Sequence, residues 1–298
     1  MRLNWVLRSL IGVLSLVACT VSTADAGAVI MGGDDLTDHG SVSGGVNMQG
    51  WLYIQKAVDN ILNLPGNVTR PGNDGSIAAL GSAPSSVTSG GDAGAAIGSA
   101  AAVLGKTVNY YDGDTAINQF FSDLASGAVK PAMLWLAGTG AENDLDSAEG
   151  AALTANAAAI AAFVNSGGGL MAHGSGEDAY GWLSAVLPGV SNVDGCEEDG
   201  AELTPAGTAA FPGLSNSDID GNAGPCHSHF EGSLGSLEVL ALDGGDPRLN
   251  FIIGGGAGTR IGTGASAPAL SESTLVGVAA LLLLVGARSV SRRQQRAL

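Results

Sequence analysis

The chain reads as an α/β protein with a parallel sheet covered by helices on both faces. Short apolar runs at residues 28–31, 77–80 and 132–136 have the length of strands buried on both sides. Between them lie longer segments with apolar residues at helical spacing. Strands alternating with helices imply crossover connections and hence parallel pairing. Composition agrees with this. A 45% hydrophobic content is enough for a core, while 47 glycines and 5% aromatics point to close helix–sheet packing and glycine-bearing loops.

Taken in order, residues 28–31 form the first strand, ended by Gly32-Gly33. Residues 51–62 carry Trp51, Ile54, Val58, Ile61 and Leu62 on one helical face. Residues 63–75 are rich in turn formers, and 77–80 read as a strand. A Ser/Gly/Pro loop over 82–91 leads to an alanine-rich helix over 93–104, and the alternating run 107–111 is a strand. Over 114–125, Ile117, Phe120, Phe121 and Leu124 share a face, and Asp114 stands where the helix dipole favours an acid. Residues 132–136 form the clearest buried strand. One long helix follows over 147–164, with Ser147 as its N-cap and Gly167-Gly168 as its stop. A strand over 170–172 and a short helix over 179–187 come next. Beyond Pro188 the pattern loosens until two strands, over 237–242 and 249–253. There is no internal repeat.

Both ends read as address signals. Arg2 and Arg8 precede an apolar run over 10–18, and Ala24-Asp25-Ala26 offers a small-x-small site, so residues 1–26 have the layout of a secretory signal peptide cleaved after Ala26. A second processing route stays open, because Leu16-Val17-Ala18-Cys19 is similar to a lipoprotein box with Cys19 as the lipidated residue. At the other end, residues 270–287 approach the roughly 20 that cross a bilayer core. Arg288, Arg292, Arg293 and Arg296 follow, and the positive-inside rule keeps them cytoplasmic.

Pro268, Leu270, Ser271 and Glu272, the apolar helix and the arginine cluster together resemble the IPTL-type C-terminal sorting domain. That domain is a relative of the PEP-type tails processed by exosortase-like membrane proteases in Gram-negative bacteria. The family pattern is Ile-Pro-Thr-Leu-Ser-Glu-Trp, and this chain departs from it at Ala267, Ala269 and Ser273. The resemblance implies a sorting protease as partner, an inner-membrane intermediate held by the C-terminal helix, and a final place in the envelope, on the outer surface or outside the cell. The chain then divides into a signal peptide (1–26), an α/β domain (27–255), a Gly/Ala/Ser/Thr linker (256–267) that holds the domain off the membrane, and the sorting tail (268–298).

The region between the two signals, residues 27–266, is strongly acidic. Its basic residues are Lys56, Arg70, Lys106, Lys130, Arg248 and Arg260, against all of the chain's 28 acids except Asp25 and Glu272. Such a surface repels phosphate backbones and argues against nucleic acid as a partner, while it suits an exported protein or one that gathers cations. Of three cysteines, Cys19 leaves with the signal peptide if cleavage follows Ala26. Cys196 and Cys226 remain, and in an oxidising compartment they pair as a disulfide, with free thiols or metal ligands as the alternatives.

The order of parts resembles the flavodoxin-like fold of class I glutamine-amidotransferase-like domains. The segments that carry the resemblance are Ala132-Met133-Leu134-Trp135-Leu136-Ala137-Gly138 and Phe163-Val164-Asn165-Ser166-Gly167-Gly168-Gly169-Leu170-Met171-Ala172-His173-Gly174. The active members of that superfamily hold a cysteine on the turn after the second strand, with a His-x-Glu pair much later. Here the turn reads Ala172-His173-Gly174-Ser175-Gly176 without a cysteine, although His229 and Glu231 keep the later spacing. Without a thiolate, that pair has nothing to activate, so glutaminase chemistry is not expected.

Two other chemistries remain open. Ser175, beside His173 and with His229 and Glu231 as base and orienting acid, has the residue types of an acyl-transfer site, although no Gly-x-Ser-x-Gly surrounds it. Alternatively, His173, His227 and His229, three of the chain's four histidines, are metal-ligand candidates with Glu177 or Asp178, provided the loop after Pro188 folds over the strand ends. The run Asn216-Ser217-Asp218-Ile219-Asp220-Gly221 has the oxygen spacing of half a calcium loop, but His227 stands where a bidentate Glu is required. Asp34, Asp35, Asp38, Asp112 and Asp114 are turn or helix-start acids that are also able to meet an ion.

Overall fold

In the computed structural model, which describes residues 26–84, 93–138, 145–197, 199–220 and 224–255, each apolar run becomes a strand and each periodic segment a helix. The strands are β1 (Val29–Gly32), β2 (Gly40–Ser43), β3 (Val46–Gln49), β4 (Ile77–Leu80), β5 (Val108–Tyr111), β6 (Met133–Leu136), β7 (Gly169–His173), β8 (Val190–Asp194), β9 (Glu202–Leu203), β10 (Ser228–Gly232), β11 (Glu238–Leu242) and β12 (Asn250–Gly254). The helices are α1 (Gly50–Asn63), α2 (Ala93–Leu104), α3 (Asp114–Ser126), α4 (Ser147–Ala155), α5 (Ala157–Asn165), α6 (Gly176–Tyr180), α7 (Leu183–Val186), α8 (Pro205–Ala210) and α9 (Asn216–Asp220). The signal peptide up to Asp25, the linker, the sorting motif and the C-terminal apolar segment lie outside the described residues. The backbone of Gly27 is already engaged, donating to Val164 O at 2.8 Å.

Eight strands form one sheet in the order β5-β4-β6-β7-β1-β12-β11-β9. From β5 to β1 all pairings are parallel, and β1, β4, β6 and β7 are buried along their whole length, as strands covered on both faces must be. Beyond β1 the expected parallel sheet gives way to antiparallel strands, β12, β11 and β9. The connection over 243–249 explains this, because it is shorter than the roughly 12 residues that a parallel crossover needs.

The expected helix over 147–164 is broken. Asn156 ends α4 and begins α5, and the two axes bend by 59°. Its side-chain amide donates to Ala152 O at 2.9 Å and to Asn118 Oδ1 at 2.9 Å, which holds the bend. The N-cap is Asp146, not Ser147. Asp146 and Glu149 form a capping box, while the Ser147 hydroxyl donates to Asp178 Oδ2 at 2.8 Å. Among the described residues, no single helix is long and apolar enough to cross a membrane.

Two regions show more structure than periodicity revealed. The β2–β3 hairpin turns on Gly44-Gly45, both at positive φ, as a two-residue hairpin turn demands. Between Pro188 and Leu237, β8, β9, α8, α9 and β10 are too short to show a period. Side chains bonded to backbone hold them instead. Asp220 Oδ1 accepts from Gly200 N and Ala201 N, and Asp243 Oδ2 accepts from Glu197 N.

The topology fixes where a ligand site can lie. From β1 the chain crosses to β4 and β5 on one side, then returns to β6 and β7. Right-handed crossovers place α1 and α2 on one face and α3, α4 and α5 on the other, where α6 and α7 pack with α4 and α5. β1 and β7 are neighbours whose onward connections leave towards opposite faces. Their carboxyl ends are therefore a place where open α/β sheets take ligands.

Cys196 and Cys226 form the expected disulfide, with Cα atoms 6.0 Å apart and a sequence separation of 30. Closing a loop of that length stabilises the native state by about 3–4 kcal/mol on the chain-entropy account. The Cys196→Ser/Cys226→Ser double variant is therefore expected to lose about that much in denaturant unfolding monitored by circular dichroism. A loss below ~1 kcal/mol would show that the loop is ordered without the bond.

Candidate functional site

The site is built on a missing side chain. In the parallel register Gly32 of β1 stands beside His173 of β7, and Trp135 of β6 stands beside Met171. Paired residues share a face, so Gly32, His173 and Trp135 all present to one side of the sheet. A Cβ on Gly32 would lie 1.5 Å from Asp34 Oδ2 and 3.5 Å from the Tyr53 hydroxyl. The Asp34 carboxyl and the Tyr53 hydroxyl thus fill the space above Gly32, next to the His173 ring. Tyr180 closes the group, donating its hydroxyl to Gly32 O at 2.7 Å.

These groups are buried and short of partners. Asp34, Tyr53, His173 and Trp135 have no exposed surface. Asp34 Oδ1 accepts from Leu36 N at 3.1 Å, but Oδ2 has no hydrogen-bond partner among the described residues. The same holds for Tyr53 Oη, Trp135 Nε1 and both ring nitrogens of His173. The Trp135 and His173 rings are 5.0 Å apart. Native interiors rarely leave such atoms unsatisfied, and several in one place mark a site where something else meets them.

Burial sets the protonation of this inner group. It pushes the Asp34 carboxyl up to about 7, with the Leu36 N–H opposing and the charge of Asp35 adding to the effect. It pushes the His173 imidazole down to about 4. The Tyr53 and Tyr180 hydroxyls are held well above their usual range by burial and by Asp34. In weakly acidic solution the inner group is therefore a neutral acid beside a neutral imidazole.

A second cluster forms the rim. Asp35 holds two imidazoles, with His227 Nε2 2.7 Å from Oδ2 and His39 Nε2 3.2 Å from Oδ1. Burial raises the Asp35 carboxyl, but the hydrogen bonds from His227 and His39 outweigh it and hold it below the usual carboxylate range. Ligand-capable atoms of Asp35, Asp38 and His39 all lie within 4.8 Å of one another. His227 is delivered by the segment over 225–228, which runs along β1's extension. Asp34 bridges Cys226, Asp35 N donates to Pro225 O at 3.1 Å, and His227 N and Ser228 N donate to Gly33 O at 2.8 and 3.0 Å. The approach is close enough that a Cβ on Gly33 would meet Ser228 O at 1.8 Å.

A cleft of about 430 Å³ opens beside the inner group, lined by Glu177, Tyr180, Leu183, Asn192 and Asp194 among others. Asn192 ties it to the strand ends. Its Oδ1 accepts from Gly176 N at 3.3 Å and its Nδ2 donates to Ser228 Oγ at 2.8 Å, and that hydroxyl donates to Gly174 O at 3.1 Å.

The residues singled out from sequence fall into separate settings. Ser175 is half-buried at the start of α6 and makes no cap bond to it. His229 and Glu231 do pair, Nε2 to Oε1 at 3.2 Å, but His229 Nδ1 also donates to Gly195 O at 2.7 Å. Both ring nitrogens are thus engaged away from Ser175. His173 is in the inner group, His227 is on Asp35 and His229 is on Gly195. Among the described residues, the metal-capable group is Asp35, Asp38 and His39. The acids of the half calcium loop serve backbone donors, Asp218 on Ser215 N and Asp220 on Gly200 N, while Asp114 begins α3. Tyr53, Tyr180 and the pairing of His39 with Asp35 were not foreseen. The available signal was Gly32-Gly33-Asp34-Asp35 directly after the first strand, at the turn where α/β sheets hold ligands. No protein-family model, curated protein or solved structure matches this chain.

The two inner titrations oppose each other. Asp34 has a native pKa of about 7 against 3.8 unfolded, so its contribution falls as pH rises between those values. His173 has a native pKa of about 4 against 6.5, so its contribution falls as pH drops through that interval. Between about 4 and 6.5 native and unfolded states hold equal protons on this pair, and the slopes cancel. Asp34→Asn is expected to lose roughly 1 kcal/mol per pH unit on acidification through that window relative to wild type, and His173→Gln to lose as much on raising the pH. Denaturant melts across the window check this, and parallel profiles for both variants would refute it.

Proposed function

We propose that this is an exported, envelope- or surface-sorted protein whose α/β domain binds a polar ligand in the crevice between β1 and β7, and that it is not an amidotransferase. The observation that carries the reading is that Asp34 Oδ2 and Tyr53 Oη, which meet over Gly32, and the nitrogens of His173, the register partner of Gly32 on β7, are all buried and without partners among the described residues. A purely structural core gains nothing from that arrangement, because each unsatisfied group costs about 1–3 kcal/mol. A ligand with matched donors and acceptors turns the same atoms into recognition. A polar cleft adjoins this group at Tyr180.

Export is supported by the disulfide, since such bonds persist in oxidising compartments. The apolar and basic ends of the sequence supply the address, with an exosortase-like protease as the partner for residues 268–298 and the membrane as a station on the way. We place the domain among the amidotransferase-like, flavodoxin-like domains on the strength of the segment that runs from β6 through the helices and Gly167-Gly168-Gly169 into β7. In this arrangement β1 takes the sheet position that the fifth strand holds in the flavodoxin order. Gly174-Ser175 replaces the nucleophile turn, and both cysteines of the domain are consumed by the disulfide.

Two measurements test this. Tyr53→Phe removes a hydroxyl that the ligand-free chain leaves unsatisfied, so it is expected to raise stability by about 1 kcal/mol in denaturant melts. A loss of similar size would mean that the hydroxyl is bonded in the native core and that no ligand need be invoked. Mass spectrometry of the protein from its native host is expected to show a chain that begins at Gly27 and has its C-terminal segment processed. A polypeptide with both ends intact would remove the export and sorting part.

A further inference from the structure

We propose that Asp35, Asp38, His39 and His227 form a binding site for a divalent transition cation of the zinc type at the mouth of this crevice. The inference rests on reading the strand ends as a binding site and names what the rim of that site holds.

Three features of the structure carry it. First, the ligand atoms come from two segments far apart in sequence that the fold brings onto one carboxylate. Both imidazoles present Nε2 to Asp35, His39 at 3.2 Å and His227 at 2.7 Å. Ligands bonded at about 2.0–2.1 Å in a tetrahedral zinc site lie about 3.3 Å from one another. The His39 Nε2 spacing from Oδ1 is close to that value, while His227 Nε2 is hydrogen-bonded to the other oxygen, Oδ2, so a cation takes the place of the proton between ring and carboxylate and opens that pair by about 0.6 Å. Asp38 is held in the same turn by its N–H on Asp35 O at 2.7 Å, and offers an oxygen within 4.8 Å of the ligand atoms of Asp35 and His39.

Second, the donor set is selective. Two imidazoles with two carboxylates suit zinc and its neighbours, whereas calcium and magnesium prefer all-oxygen shells. Cys226, next to His227, is withdrawn into the disulfide, so thiolate does not compete. The segment bearing His227 is fixed by its backbone bonds to Gly33, which limits the reorganisation that binding requires.

Third, an independent observation lies immediately behind the rim. Asp34, the residue before Asp35, and His173, which senses the charge of Asp35, are fully buried with polar atoms that nothing among the described residues satisfies. A zinc ion on these four ligands takes a further water or anion by expanding to five-coordinate, and such a ligand facing inward meets those atoms. The acidic surface of the domain raises the local concentration of cations around the crevice.

The test uses the full-length chain after chelator treatment, titrated with zinc by calorimetry and with cobalt by visible absorption. One equivalent of zinc is expected to bind, and cobalt is expected to give the d–d bands of a tetrahedral nitrogen–oxygen site. His39→Gln and His227→Gln are each expected to weaken zinc binding ~10-fold or more, with His229→Gln unchanged. Should a variant fail to fold, the cobalt spectrum of the wild-type chain still reports the coordination. Zinc that does not bind stoichiometrically, or binding that survives both rim substitutions, overturns the proposal, as does loss confined to His229→Gln. The Tyr53→Phe melt reports on the inner group alone. A failed zinc titration beside a stabilised Tyr53→Phe would reject the cation and leave the binding crevice standing.

Discussion

The antiparallel docking of residues 225–228 on Gly33, Asp34 and Asp35 is the constraint on which the candidate site depends. Two backbone donors, His227 N and Ser228 N, converge on Gly33 O, and the fit allows no side chain at position 33. The contact joins two parts of the chain that share no continuous element. It seats Cys226 against Asp34, puts the His227 ring on Asp35 and brings the Ser228 hydroxyl to Gly174 O. Through Ser228 the same contact reaches Asn192 and the cleft. If it were lost, the rim would lose an imidazole and the inner group would lose its cover.

The disulfide and the unsatisfied polar atoms belong to one energetic argument. A buried hydroxyl or carboxyl oxygen without a partner costs about 1–3 kcal/mol, and several of them stand together above Gly32. A fold with a modest aromatic core has little stability to spare against that. The bond between Cys196 and Cys226 acts on the segment that covers the site, and its contribution of about 3–4 kcal/mol is of the size needed to hold the cover in place. The loop between β8 and β10 is thus stapled next to buried polar atoms that packing leaves unsatisfied.

Much of the parallel half of the sheet was legible from residue order. Ile77–Leu80 and the run around Met133–Leu136 are apolar throughout because both of their faces are covered, and that pattern survives in any reading of the chain. The antiparallel edge was less legible, since β11 and β12 look like any buried strand and only the shortness of their connection sets their direction. The break at Asn156 was hidden because alanine-rich sequence continues on both sides of it, and the bend depends on Asn118, which lies on another helix. The site was legible in part. His227 was recognised as a possible ligand, but its partner Asp35 was found only when the fold joined positions 192 residues apart. Tyr53 and Tyr180 carry no signal of their own, because an aromatic residue at helical spacing reads as core until its hydroxyl is seen to aim at a strand end.

The absence of a cysteine on the β7 turn and the presence of His173 there have a common physical meaning. A nucleophile at that turn works when its proton has an acceptor and its anion has donors nearby. Here the strand ends instead in an imidazole that burial keeps neutral, flanked by Trp135 and by an acid that burial keeps protonated near neutrality. Neutral donors and acceptors in a water-poor setting recognise shape and hydrogen-bond pattern. The charged groups have been moved outward to Asp35, Asp38 and the two rim histidines, where solvent and a cation can reach them. The crevice is thus layered, with charge at the mouth and neutral polarity beneath.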